Sequence, residues 1–484
     1  MFLENLLFLL YGIHELIEVY KNPLCTHTEG WSGEKMETKY EEIMKEIMRR
    51  IAEGRLRPGG KLPSIRAFSK EFSCSINTVV RAYSELEKEH KVYSVPKSGY
   101  FLLENRPAEM TKNNDVIDFL TAGPDIHNMP YRDFQHCINQ AIEYYKEDMF
   151  QYSDPMGLPT LRTQLSKQLQ NLQVFAPPDR IGVVSGSQQA LDLLVSLPFP
   201  NGKTEICVDQ PTHFSFIDSL ITREINAIGI EMTRDGIDLK YLEKIFRDKP
   251  IKFFYTVSRF QNPTGYSYSN KEKKKIVELA QKYDVFIVED DYMGDLDSKK
   301  KADPMFSFDP SGRIIYTKSF SKVLLPGLRL GLVVLPSELV RSFTKVKFAA
   351  DVHTPVLTQG ALEIYLQSGM YNAHIERLRK KYNEKGRTLK QAFLDYLPSE
   401  VTFSGAESGF YSTIILPAHV KAEYLVNNLK KKNILVQNAT EMFLPQYRKE
   451  NIIRLSISQI EECKIPIGIK RIAEEICLLL KVVS

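Results

Sequence analysis

The six cysteines, Cys25, Cys74, Cys137, Cys207, Cys463 and Cys477, form no CxxC pair and no metal-ligand spacing. That excludes a disulfide scaffold and a thiolate metal centre, and it predicts reduced, mostly buried thiols. A membrane-crossing run is missing as well. The apolar stretch Leu6 to Leu10 is too short to span a bilayer. It lacks a basic segment before it and a small-residue cleavage site after it, so it does not read as a signal peptide. A cytoplasmic protein with no membrane partner is the expectation. Internal repeats and low-complexity tracts are absent. So is a large net charge: the balance is +4 at pH 7, which excludes a polycation.

What is present is ordinary globular composition, 43% hydrophobic and 26% charged, in a chain of 484 residues that has room for more than one domain. The small charge excess is unevenly placed. Met36 to Leu103 holds 13 Lys/Arg against 9 Asp/Glu, and the remainder balances at 51 each. Phosphate neutralisation asks for this kind of local excess. Residues 1–35 read as an upstream extension that an overcalled start codon would explain, and a genuine amphipathic appendage is the competing reading. The domains expected after it are a compact module over 36–103, a polar proline-containing linker over 104–115 (ENRPAEMTKNND) and a large module over 116–484.

In the first module Tyr40 to Glu53 has helical spacing, with Ile43, Ile47 and Ile51 on one face and Gly54 behind it. Ser64 can cap a second helix over about 65–72, and Ser75 a third that starts at Ile76 and runs to about Glu89. Two short helices joined by a tight turn form a helix-turn-helix, whose second helix enters the major groove. Its leading residues Asn77, Thr78 and Arg81 share a face. Val92–Val95 and Tyr100–Leu103 flank PKSG, a hairpin wing with Lys97 at its tip. The pieces G-x-L-x-P-G-x-K-L-P-S-x-R (Gly54 to Arg66) and N-T-V-x-x-A-Y (Asn77 to Tyr83), with the Ser98–Phe101 wing end, resemble the GntR-type winged helix-turn-helix. The resemblance implies a double-stranded DNA operator contacted by Ser64, Arg66, Thr78, Arg81 and Lys97. One position departs from it: Ile76 stands where that family often carries arginine.

From Val116 onward, strands rich in Val, Ile and Phe alternate with helical stretches, the pattern of an α/β fold with chemistry at the carboxyl ends of its strands. Ser185-Gly186-Ser187-Gln188 closes a strand and opens a helix, a cradle for an anion. The stretch YTKSFSKVLLPGLRLG places Lys322 between hydroxyls, with Arg329 one loop later. A lysine there can form an imine with an aldehyde, while Ser319, Ser321 and Arg329 hold a phosphate. Pyridoxal 5′-phosphate carries both groups. Its pyridine nitrogen needs a carboxylate, for which Asp290 is the candidate and Asp291 the fallback if the register slips by one. Tyr292 is the candidate contact to the ring hydroxyl. The lysine runs 271–275 and 299–301 read as solvated surface.

The lysine stretch resembles that of fold-type I enzymes, the aspartate aminotransferase superfamily. That resemblance implies a large mixed-sheet α/β domain with a smaller C-terminal α+β subdomain. It makes Asn262 in QNPTG a donor to the ring hydroxyl, Tyr152 a residue reaching a phosphate across a dimer interface, and Arg454 in IIRLSIS the partner of a substrate α-carboxylate. The family usually stacks an aromatic ring on the pyridine face after a Pro-Thr step, and here His213 takes that place. A GntR-type reader joined to such a domain is similar to the MocR/GabR regulators. The likeness implies a head-to-tail homodimer that senses a small amine or amino acid through an external aldimine. An active class I/II aminotransferase carrying a DNA-binding domain is the alternative. Under either reading the catalytic residues are Lys322, Asp290 and Tyr292, and no metal is expected.

Overall fold

A computed structural model describes residues 38–57, 59–88, 91–95, 98–103, 116–297, 303–405 and 409–483. The extension over 1–35, the linker over 104–115, the wing-tip residue Lys97 and the lysines 299–301 lie outside the described residues. The chain divides into two compact units, Met1–Thr111 and Lys112–Ser484.

The first unit holds helices Lys39–Ala52, Ile65–Glu71 and Ile76–Lys88 and an antiparallel hairpin of β1 (Val92–Val95) and β2 (Gly99–Leu102). Local chemistry sets each boundary. The Thr38 N–H donates to Glu41 Oε2 at 2.8 Å and opens the first helix. Gly54 closes it at φ +70°. There the Gly54 N–H donates to Ile51 O at 3.0 Å and the Arg55 N–H to Arg50 O at 2.9 Å, a left-handed C-terminal cap. Ser64 accepts from the Ala67 N–H at 3.2 Å, and Ser75 Oγ accepts from the Thr78 N–H at 3.1 Å. Of the isoleucine stripe, Ile43 and Ile47 are fully buried and Ile51 half-buried, packed with Phe68, Val79, Tyr83 and Leu86. The Tyr83 hydroxyl donates to Pro63 O at 2.8 Å and ties the third helix to the turn before the second. A bridge between Lys61 and Phe101 lays that turn beside the wing.

The second unit begins with β3 (Ile117–Asp118). Its main sheet comprises β4 (Ile181–Val184), β5 (Glu205–Gln210), β6 (Ala227–Thr233), β7 (Gly236–Ile237), β8 (Ile251–Thr256), β9 (Phe286–Asp290), β10 (Ile314–Ser319) and β11 (Gly331–Val334). Their order is β4-β11-β10-β9-β8-β5-β6-β7. The block from β10 to β6 is parallel, whereas β11 runs antiparallel to both β10 and β4. Every residue of β8, β9 and β10 is buried, as expected for strands covered on both faces. One face packs Phe253, Tyr255, Phe286 and Val288 into the largest core cluster, and the other packs Phe254 and Ile287 against helices Leu239–Asp248 and Asn270–Lys282. A smaller C-terminal part follows, with β12 (Thr402–Gly405), β13 (Tyr411–Ile415), β14 (Ile434–Leu435), β15 (Gln437–Asn438) and β16 (Ile452–Ser456). Its sheet runs β12-β13-β16-β15 and is antiparallel, and β14 pairs in parallel with β3.

Two expectations need correction. The run Lys271 to Lys275 is not wholly solvated: Lys273 is buried, and its Nζ donates to Asp303 O at 2.7 Å. Aligned on the apolar side of its helix, it turns a surface-like run into an internal tether. The thiols are less buried than expected as well, since Cys137 and Cys207 are buried but Cys463 and Cys477 are exposed. No helix among the described residues is long and apolar enough to cross a membrane.

Candidate functional site

At the carboxyl ends of the central strands lies a cavity of about 270 Å³. It gathers Ser187, Gln188, His213, Asn262, Asp290, Tyr292, Ser319, Ser321, Lys322 and Arg329, residues that the chain scatters over more than a hundred positions. The loops after β4, β5, β8, β9 and β10 all empty into it, as the geometry of parallel sheets requires.

One end is built for an anion. Helix Ser187–Ser196 points its free N–H groups there, with Gly186 as N-cap at φ +84°. A Cβ on Gly186 would stand 2.6 Å from Arg329 Nη2, so only glycine lets the guanidinium come this close. Arg329 is itself left-handed, at φ +52°, and donates to Ser185 O at 3.3 Å. Ser319 and Ser321 line the same end. Gln188 also lines the cavity, but its amide is committed elsewhere, to Ser215 O at 3.0 Å and Ser219 Oγ at 3.1 Å.

The deep end holds a carboxylate. Asp290 accepts from the Tyr255 hydroxyl at 3.1 Å on Oδ2 and from the Thr317 hydroxyl at 3.1 Å on Oδ1. Burial pushes its carboxyl up to about 7. The fallback Asp291 does not share this site. It accepts from Arg259 Nε at 3.0 Å and from the Tyr316 hydroxyl at 2.6 Å, and the Arg259 charge holds its carboxyl below the usual range despite burial. Tyr292 lines the cavity and donates its hydroxyl to Phe260 O at 2.6 Å. Asn262 Oδ1 is buried without a partner. The His213 imidazole is pushed down to about 4 by burial and by the positive charges of Lys322 and Arg454, so it is neutral near pH 7.

Lys322 Nζ donates to Ala122 O at 2.7 Å. Arg454, in the middle of β16, donates from Nη2 to Leu120 O at 2.8 Å and lies with its guanidinium carbon 5.0 Å from the Tyr411 ring centroid. Its Nε is buried with no partner, and burial lowers its pKa. Tyr152 is not among the cavity residues. It is 88% exposed, its ring 6.2 Å from that of His353.

Sequence reasoning missed several residues. Tyr255 and Thr317 hold Asp290 from the strands on either side of β9. Another buried carboxylate, Asp209, accepts from Thr256 at 2.7 Å and Tyr268 at 3.1 Å, and burial pushes it up to about 7. Each sits in a strand buried along almost its whole length, where alternation gives no sign of facing.

In the first unit Arg66, Asn77 and Arg81 are exposed and Thr78 is half-buried. Ser64 caps its helix, and the Thr78 hydroxyl lies 2.8 Å from that of Ser75. The Arg81 guanidinium rests over the Tyr40 ring at 4.3 Å.

Comparison with known proteins adds to this geometry. Residues 125–472 match the family described as aminotransferase class I and II, and residues 39–102 match the bacterial regulatory proteins of the gntR family. An HTH-type transcriptional regulator of Bacillus subtilis, YcxD, is 42% identical over 436 residues, 89% of this chain and 98% of its own. The probable rhizopine catabolism regulatory protein MocR of Rhizobium meliloti is 26% identical over 400 residues, 76% of this chain and 79% of its own. Among solved structures, the kynurenine aminotransferase of Pyrococcus horikoshii, in complex with PMP, superposes with a TM-score of 0.70 at 28% identity, over 76% of this chain and 92% of that one.

Proposed function

We propose a function from one premise: the chain belongs to the class I and II aminotransferase family and carries, ahead of that domain, a gntR-family DNA-binding module, the make-up of HTH-type regulators such as MocR. It is a DNA-binding regulator with an aminotransferase-like domain, and that fold implies pyridoxal 5′-phosphate. The finer reading is that the large unit senses a small amine or amino acid at the cavity around Lys322.

The observation that carries this reading is the unspent chemistry of the cavity. Asp290 is buried between two hydroxyls with no cation among its hydrogen-bond partners, and Asn262 Oδ1 is buried with none at all. Uncompensated groups of this kind in a cleft mark a binding site. They fit pyridoxal phosphate: Asp290 toward the ring nitrogen, Asn262 and Tyr292 toward the ring hydroxyl, His213 against the ring, and Ser187, Ser319, Ser321 and Arg329 around the phosphate, with Gln188 lining the same cavity while its amide stays on Ser215 and Ser219. When bound, the cofactor supplies an aldehyde that condenses with amines and a ring that withdraws electrons from the carbon beside them.

The chain's own residues do the rest. The Lys322 amine would hold the aldehyde of the bound cofactor, and as a free amine it would be placed to carry a proton. A neutral His213 can cover the ring without adding charge next to the amine. Arg454 offers an unpaired Nε to a carboxylate in a site poor in water, where such a pair is strong. An amine that binds two arrangements of the large unit unequally would shift operator affinity. The exposed Tyr152 suits a residue that serves a partner's site in a homodimer.

Replacing Lys322 tests the reading. Lys322→Ala should lose the visible absorption of bound cofactor and the change in operator affinity on adding amines, and it should retain DNA binding. An unchanged amine response would sink the sensor. Sustained conversion of an amino donor and a 2-oxo acid by the parent protein would favour the enzyme instead.

A further inference from the structure

The third helix of the first unit, Ile76–Lys88, buries Val79, Ala82, Tyr83 and Leu86. Its other side is unusual for a helix offered to a polyanion. Ile76 is 50% exposed and Val80 38% exposed. They stand at i and i+4, so their branched side chains are neighbours on one face. A single exposed apolar residue needs no explanation. Two in succession at the leading end of the helix that this motif sends into the major groove ask for an apolar partner there.

The polar groups nearby are few. Thr78 engages the Ser75 hydroxyl at 2.8 Å, and the planar face of Arg81 lies on Tyr40. No acidic residue occupies the first turn. The leading end therefore presents two branched hydrocarbon side chains and one free carboxamide, that of the exposed Asn77. The major groove has one apolar group that discriminates sequence, the C5 methyl of thymine. Adenine, its pairing partner, shows the N6/N7 pattern that a carboxamide can match with two hydrogen bonds.

We propose that Ile76 and Val80 are specificity-determining residues that pack on thymine methyls in consecutive A·T-containing steps of each half-site, with Asn77 set toward an adenine between them. The inference rests on the DNA-binding reading of the first unit. It goes beyond that reading by assigning the apolar pair a base and an atom. Ile76 is also the position where the chain departs from the arginine frequent in similar readers. Arginine would favour guanine, so the departure exchanges one base preference for another.

The test begins by selecting duplexes from a random pool with the full-length protein. The enriched half-site is then resynthesised with deoxyuridine replacing thymidine at one position at a time. Deoxyuridine keeps the pairing and the O4 acceptor and lacks only the methyl. Two positions per half-site should each bind about fourfold more weakly without their methyl, the value of one buried carbon. Ile76→Ala should abolish the penalty at one position and Val80→Ala at the other. The slope of affinity against salt should not change, since phosphate contacts are untouched. Both side chains are exposed, so the variants should melt like the parent protein. Equal affinity for thymidine and deoxyuridine at every position would overturn the proposal, as would penalties that survive both alanine substitutions. A pool that yields no enriched duplex would instead remove the DNA-binding premise, an outcome distinct from enrichment without methyl discrimination.

Discussion

At the end of β9 the two faces of the central sheet treat neighbouring carboxylates in opposite ways. Asp290 faces the cavity with two hydroxyls and no cation, and burial pushes it up to about 7. Asp291, one residue on, is locked to Arg259 and Tyr316 on the other side and is held below its usual range. Both are fully enclosed, so burial alone does not tell a structural charge from a functional one. Whether the protein supplies the counter-charge does.

The largest expected effect that would break this contrast is on stability. Asp291→Asn should destabilise the cofactor-free protein by about 3 kcal/mol, because a buried guanidinium loses its main partner. Asp290→Asn should not lower the stability of the same preparation, because it removes a buried carboxylate that has no cation, while it weakens cofactor binding. Urea unfolding followed by circular dichroism checks both. Equal losses from the two variants would erase the distinction.

The pH dependence sharpens it. The folded pKa of Asp290 is raised from 3.8 to about 7. Between those values the folded chain holds a proton that the unfolded chain has lost. Its contribution therefore falls as pH rises through that window and is level above it. Asp291 has the opposite sign: its contribution is present above the unfolded value and is lost as pH falls through its lowered folded one. Melting temperatures of cofactor-free protein between pH 5 and 8 should fall less steeply in Asp290→Asn than in the parent. Asp209, also pushed up to about 7, keeps part of the slope in both.

The smallest effect concerns the hydroxyl that holds Asp290. Tyr255→Phe removes one hydrogen bond and should cost about 1 kcal/mol of affinity for pyridoxal phosphate. The loss should be absent for an analogue whose ring nitrogen is replaced by carbon. Fluorescence titration of the apoprotein with the two ligands measures the difference.

Much of this was legible in the sequence because it is written locally. The limits of the reader helices fall within one or two residues of expectation, since Gly54, Ser64 and Ser75 set them through bonds a few residues away. Lys322, Ser319, Ser321 and Arg329 were readable together because one short stretch carries all four. Tyr255 and Thr317 were not, because their meeting with Asp290 depends on strand register: Thr317 lies directly opposite Asp290, and β8 reaches it from the other side. The masking effect of charge runs hid Lys273 in the same way, as its neighbours are solvated and only its helical phase turns it inward.

The antiparallel strand β11 has a last consequence. Because it doubles straight back from β10, the rung Ser319–Gly331 closes a hairpin over Lys322 and Arg329. The Lys322 amine and the Arg329 guanidinium, the groups proposed to meet an aldehyde and a phosphate, are thus clamped at a span set by the count of residues between them. Substitutions inside that loop can be absorbed one side chain at a time. An insertion or deletion cannot, because it would change the length of the ruler that sets these two groups apart.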